Sequence, residues 1–261
     1  MKIGLYQMIN QGDISQNFSV MEQGVIEAFN SACKVVVFPE CALTGYPPIE
    51  TQVDLNSIKD DVALFEEKLK QTAKKYNINI IFGTIRFEDD KRFNTLKVIN
   101  QEGNMIDYYD KRALWGYDLQ NFQHGQTYKS IIIDDVKIGL SICFEIRFPE
   151  YYREHKNHAV DLMLTCFCDT SAVESPTRYN LIKGHIQTRA VENVIPHLSV
   201  NSASKFQSAP TGVYDIYGNE LMSAHLNVNQ LLIYAYQKQE VGYGAKGILE
   251  ISKNLSKNKK G

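Results

Sequence analysis

The 261-residue chain is short of several things, and each shortage excludes something. Net charge is nearly absent: 28 Lys and Arg stand against 30 Asp and Glu, a formal -2, so there is no bulk basic field to hold DNA, RNA or an anionic lipid surface. No apolar run is long enough to span a bilayer, and Met1-Lys2-Ile3-Gly4-Leu5-Tyr6-Gln7 runs into polar residues without the apolar stretch of a secretory signal. A cytoplasmic protein with no nucleic-acid and no membrane partner is expected. The five cysteines (Cys33, Cys41, Cys143, Cys166 and Cys168) are an odd number, scattered rather than spaced as a disulfide framework, which suits free thiols in a reducing compartment. Cys166 and Cys168 alternate on a strand, hence on one face. Neither a Cys-x-x-Cys pair nor an ordered Cys/His set accompanies them, so no metal is expected. His155 and His158, near a helix end, read as surface residues. No Pro/Gly/Ser-rich linker or repeat divides the chain, which therefore reads as one domain.

The chain does have core-forming material, with 44% hydrophobic residues. Short apolar runs alternate with longer amphipathic ones, the pattern of an α/β fold. Strands are expected at Lys2 to Met8, Val35 to Phe38, Ile78 to Thr84, Asn94 to Asn100, Met105 to Tyr109, Lys129 to Ile133, Val136 to Ile142, Asp161 to Phe167, Pro196 to Asn201, Thr211 to Ile216 and Gln230 to Tyr236. Helices are expected at Gln16 to Asn30, Ile58 to Tyr76, Pro149 to Lys156 and Thr177 to Glu192. Residues 1–250 form the expected domain. Residues 251–261, polar and basic, read as a solvated or partner-docked tail.

Three strand ends carry residues with chemical potential. Gly139-Leu140-Ser141-Ile142-Cys143-Phe144-Glu145-Ile146-Arg147-Phe148-Pro149 places Cys143 on a strand-to-helix elbow. There a thiol is exposed at the sheet edge, and the following backbone N–H groups both lower its pKa and offer to hold an oxyanion. A buried, inert cysteine is the plain alternative on this segment alone. Val35-Val36-Val37-Phe38-Pro39-Glu40 ends a strand on a carboxylate held by proline, at the sheet edge where α/β proteins bind ligands. Tyr108-Tyr109-Asp110-Lys111 ends another strand on an ammonium group.

Together these segments resemble the carbon–nitrogen hydrolase (nitrilase) superfamily, amidase-like branch. Phe38-Pro39-Glu40 with Leu43-Thr44-Gly45-Tyr46-Pro47-Pro48, Tyr109-Asp110-Lys111, and Ser141 through Glu150 stand in that family's chain order. Phe93-Asn94-Thr95, Gln187 to Asn193 and Gly212 to Gly218 add scaffold blocks. The resemblance implies a four-layer αββα sandwich, often dimerised, that hydrolyses non-peptide C–N bonds without metal or organic cofactor. It implies Cys143 as nucleophile, Glu40 as general base and acid, and Lys111 with the backbone N–H of Phe144 as stabilisers of the oxyanion. Asp118 falls where many members carry a further glutamate, one methylene longer. Tyr46, Trp115 and Cys168 are expected pocket residues.

The sequence reading is a hydrolase acting on a small aliphatic amide, an ω-amide or an N-carbamoyl compound through a thioacyl enzyme, working as a homodimer. A nitrilase, an amide-forming acyltransferase on the same triad, and a non-catalytic binding protein are the alternatives. A Cys143–histidine dyad ranks behind them, since no histidine has a comparable strand-end setting.

Overall fold

Val35, Val36 and Val37 are all buried, but in two directions: Val35 and Val37 join one hydrophobic cluster and Val36 another. A strand apolar on both faces must be covered on both, and the computed structural model, which describes residues 1–257, repeats that arrangement across two sheets. In chain order the elements are β1 (Lys2–Gln7), α1 (Ile14–Asn30), β2 (Val35–Val37), α2 (Lys59–Tyr76), β3 (Asn79–Glu88), β4 (Lys91–Ile99), β5 (Met105–Asp110), α3 (Tyr117–Asn121), β6 (Ser130–Ile133), β7 (Val136–Ile142), a 3-10 turn (Cys143–Arg147), α4 (Pro149–Asn157), β8 (Leu162–Phe167), α5 (Pro176–Asn193), β9 (His197–Asn201), β10 (Gly212–Tyr214), β11 (Glu220–Ser223), β12 (Gln230–Ala235) and α6 (Tyr243–Lys257).

The first sheet runs β12-β1-β2-β3-β4-β5 and the second β11-β10-β9-β8-β7-β6, each with three parallel strands at its centre and antiparallel strands at its edges. Period-two alternation sorts the side chains into layers. Leu162, Leu164 and Cys166 of β8 meet Val35, Val37 and Ile81 of the first sheet in the cluster between the sheets. Met163 and Phe167 of β8 face outward, onto Tyr152 of α4 and Ile182, Ile186 and Ala190 of α5. Met21, Val25 and Ala28 of α1 and Val62, Leu69 and Ala73 of α2 cover the outer face of the first sheet. The result is the αββα sandwich in one domain.

Local signals set the helix ends. Asp13 accepts from the Gln16 amide to start α1, Asn77 in the left-handed region ends α2, and Ser175 with Pro176 opens α5.

Three elements escape the sequence reading: the one-turn α3, the edge strand β11 and helix α6. α6 runs through position 251, where that reading begins its polar tail; residues 258–261 lie outside the described residues. Its apolar face is short, Ala245 being buried with Ile248 and Leu249 packed beside it.

His155 is a correction. It is not a surface residue but fully buried, with Nε2 at 2.8 Å from Ser141 Oγ and Nδ1 at 3.2 Å from the Tyr128 hydroxyl. Gly139 makes this possible, because a Cβ there would lie 2.2 Å from the imidazole. His158 is exposed as expected and stacks on Tyr128.

Candidate active site

Glu40, Lys111 and Cys143 come from different strand ends, and each is locked by backbone contacts. After β2 the chain stays against β3 through the Phe38 amide donating to Ile81 O (2.8 Å) and the Gly83 amide donating to Pro39 O (3.0 Å). The approach is so close that a Cβ on Gly83 would sit 2.3 Å from both Cys41 N and Pro39 O. Cys41 takes φ +50° to turn the chain just after Glu40. Lys111 continues β5: its amide donates to Asn94 O and its carbonyl accepts from the Gly125 amide, both at 2.8 Å. Cys143 follows β7 with φ +42°, a left-handed conformation costly for a residue with a Cβ and the kind of strain that gathers at functional sites.

The Glu40 carboxylate and the Lys111 ammonium form a buried ion pair at 2.8 Å, and Lys111 Nζ also reaches Asp118 Oδ2 at 2.7 Å. Asn94 Nδ2 donates to Glu40 Oε1 at 2.7 Å, and the Cys168 amide donates to Glu40 Oε2 at 2.8 Å. The Tyr46 hydroxyl donates to Asp118 Oδ1 at 2.7 Å. Burial works against the charge on Lys111, but Glu40 outweighs it, with help from Cys143, Asp118 and Tyr46, and the pKa lies well above the ordinary lysine value.

The thiol departs from the sequence expectation. Burial first, then the negative charge of Glu40, push the Cys143 pKa well above the usual thiol value, and Lys111 offsets this only in part. The residue as a whole is half-buried, but its Sγ is enclosed by charged neighbours. Glu40 and Lys111 are the charged groups that act on it most strongly.

A cavity of about 540 Å³ opens over these groups, lined by Tyr46, Ile49, Lys111, Trp115, Asp118, Cys143, Phe144, Arg147, Cys168, Asp169, Thr170 and Arg178. All the expected site residues line it except Glu40, which sits behind Lys111 and Cys168. Trp115 is 68% exposed and stacks on Phe144 with ring centres 6.2 Å apart, forming one wall. No histidine lines this cavity, which leaves a cysteine–histidine dyad without a partner. Among the described residues no group of three or more His, Cys, Asp or Glu is arranged to hold a metal ion, and no helix is long and apolar enough to cross a membrane. A larger cavity, about 800 Å³, lies elsewhere among α4, α5 and α6 and contains none of these groups.

Several polar residues of the site were not singled out from the sequence. Glu50 accepts from the Tyr46 amide at 3.0 Å and from the hydroxyls of Ser202 and Ser204, and burial raises its pKa. Asp169 pairs with Arg178 at 2.9 Å. Arg147, by contrast, is visible in the sequence as a positive charge close to Cys143, and it lies over the Phe144 ring. Asn94 and Glu145 are buried polar residues in otherwise apolar surroundings, a signal that local reading passed over.

The chain belongs to the carbon-nitrogen hydrolase family, whose model matches residues 2–241. It is 29% identical over 189 residues to the 2-oxoglutaramate amidase of Bacillus subtilis, an overlap covering 71% of this chain and 69% of that one. It is 28% identical over 208 residues to an omega-amidase of Saccharomyces cerevisiae, covering 72% and 67% of the two chains. A double mutant of the amidase from Nesterenkonia sp. AN1, solved in complex with acrylamide, shares the fold with a TM-score of 0.83 at 18% identity, over 99% of this chain and 96% of that one.

Proposed function

We propose that the protein is an amidase in which Cys143 attacks the amide carbon of a small substrate, Glu40 moves the protons and Lys111 stabilises the developing negative charge. The observation that carries this reading is the buried Glu40–Lys111 ion pair directly behind a cavity lined by Lys111 and Cys143. Glu40 takes the thiol proton as the C–S bond forms. Lys111 Nζ and the Phe144 N–H face the tetrahedral oxyanion. Glu40 then protonates the departing nitrogen, ammonia leaves, and the thioester remains. Water, deprotonated by the same carboxylate, cleaves the thioester to free acid and regenerates the thiol. The balance is one amide and one water in, one carboxylic acid and one ammonia out. Asp118 holds Lys111 from the other side and is itself held by Tyr46.

Of the substrates compatible with this chemistry, an ω-amide carrying a carboxylate at its far end suits the lining best. Arg178 is already matched by Asp169, but no carboxylate among the described residues lies within ion-pair distance of Arg147. A guanidinium facing a small cavity is suited to a substrate carboxylate. The relatives named omega-amidase and 2-oxoglutaramate amidase point the same way. The reading includes a homodimer in the cytoplasm that needs no cofactor; sedimentation at micromolar concentration tests the dimer.

The decisive experiment measures ammonia release and intact mass with a panel of ω-amides, neutral amides, N-carbamoyl compounds and nitriles. Wild type should release ammonia from amides, Cys143→Ala should release none, and any acyl adduct should map to Cys143. Ammonia release that survives Cys143→Ala would sink the reading; release from nitriles and not amides would replace it with a nitrilase.

A further inference from the structure

Asn94 does not line the cavity, yet it holds both halves of the buried ion pair. Its Nδ2 donates to Glu40 Oε1 at 2.7 Å, and its backbone carbonyl accepts from the Lys111 amide at 2.8 Å. The Cys41 thiol donates to Asn94 Oδ1 at 3.8 Å, which turns the NH₂ end toward Glu40; the reversed amide would set oxygen against oxygen. Asn94 is 1% exposed within a strand that also buries Phe93, Leu96, Val98 and Ile99. A buried amide in such a place is costly unless it is paired, and here its NH₂ is paired with Glu40.

The pairing makes the two oxygens of Glu40 unequal. Oε1 accepts from both Lys111 Nζ and Asn94 Nδ2, whereas Oε2 accepts one N–H, from Cys168. We propose that Asn94 is a positioning residue for the amide hydrolysis: by occupying Oε1 beside Lys111, it leaves Oε2 as the oxygen that takes the Cys143 proton and returns it to the departing nitrogen. The terminal carboxylate torsion of glutamate is soft. Without the Asn94 donor the group turns more freely, and a proton can settle on Oε1, the oxygen that Lys111 holds. This inference rests on the catalytic reading above.

The test uses alkylation of Cys143 by iodoacetamide, followed by intact mass from pH 5 to 9, so that no substrate needs to be known. Wild type, Glu40→Gln, Asn94→Ala and Asn94→Leu are compared, with melting temperatures measured alongside. Asn94→Leu keeps the volume, adds no charge and loses the donor, and it carries the test if the alanine variant fails to fold. Glu40→Gln should slow the neutral-pH reactivity and change the shape of its pH profile. The Asn94 variants should slow it by about tenfold and move the acidic limb of the profile up by about one pH unit, the worth of one hydrogen bond to a charged group. Profiles of folded Asn94 variants that overlay wild type, while Glu40→Gln differs, would overturn the role of Asn94 alone. A profile unchanged by Glu40→Gln would overturn the catalytic reading itself.

Discussion

The Tyr109 hydroxyl lies 2.7 Å from Oε1 and 2.8 Å from Oε2 of Glu145, a bond from the end of β5 in the first sheet to the turn after β7 in the second. The same carboxylate accepts the Arg112 amide at 2.7 Å and the Ile142 amide at 2.8 Å. Arg112 follows Lys111 and Ile142 precedes Cys143, so one buried side chain sets how far apart the ammonium and the thiol stand. Burial raises the Glu145 pKa against these donors.

Glu145→Ala is therefore expected to cost more than a core truncation. It strands two backbone N–H groups and a tyrosine hydroxyl, each worth about 1–3 kcal/mol when left unsatisfied. A total loss of about 3–5 kcal/mol in urea unfolding is expected, with slower alkylation of Cys143 in the protein that still folds. A loss below about 1 kcal/mol would mean that the two sheets are registered by something else.

Gly83→Ala probes the Glu40 turn from behind. The added methyl meets backbone atoms of Pro39, Glu40 and Cys41 rather than the end of a flexible side chain, so the turn must move. The expected cost is about 1–3 kcal/mol of stability. Ammonia release should fall by more than the lost folded fraction explains. A crystal structure of the variant with Glu40 still 2.8 Å from Lys111 would refute the displacement.

Acid should unfold the protein early. His155 and His197 are fully buried, and burial lowers the pKa of each from 6.5 to about 3. Between those values the unfolded chain binds protons that the folded one refuses. Their stabilisation is thus complete above pH 6.5 and is lost as pH falls toward 3. Each histidine contributes a slope of about 1.4 kcal/mol per pH unit within that window. Urea midpoints at fixed pH should fall steeply below pH 6, and His155→Gln should flatten the slope. An unchanged slope in that variant would place the acid sensitivity elsewhere.

Local pattern made the α/β alternation and the three strand ends legible, as apolar runs stopped by Pro39, by the turn after Lys111 and by the elbow at Cys143; the sandwich itself was implied by the family resemblance those segments carry. What local pattern did not carry was anything set by contacts distant in sequence. The elbow alone suggests a thiol of lowered pKa; its direction is reversed by burial and by Glu40, a carboxylate far away in the chain. His155 reads as a helix-end surface residue until Gly139 on β7 makes room for its ring. Asn94 was visible only as a member of a scaffold block, since its donor role needs Glu40 from another strand. Helix α6 was missed because its buried stripe is short and sits among Lys, Asn and Ser residues.

Arg147 should decide which amides are hydrolysed. Its guanidinium faces the cavity across the Phe144 ring, 5.7 Å from the ring centre, whereas the charge of Arg178 is already matched by Asp169. A substrate carboxylate that reaches Arg147 would gain a hydrogen bond to a charged group, worth about 1.5–3 kcal/mol. Arg147→Gln is thus expected to lower kcat/KM for a four- or five-carbon ω-amide by about 10- to 100-fold, while a neutral amide such as butyramide changes by less than about threefold. The informative quantity is the ratio of the two kcat/KM values, from which folding yield cancels. Equal losses on both substrates in Arg147→Gln would show that this arginine shapes the turn behind Cys143 and does not read the far end of the substrate.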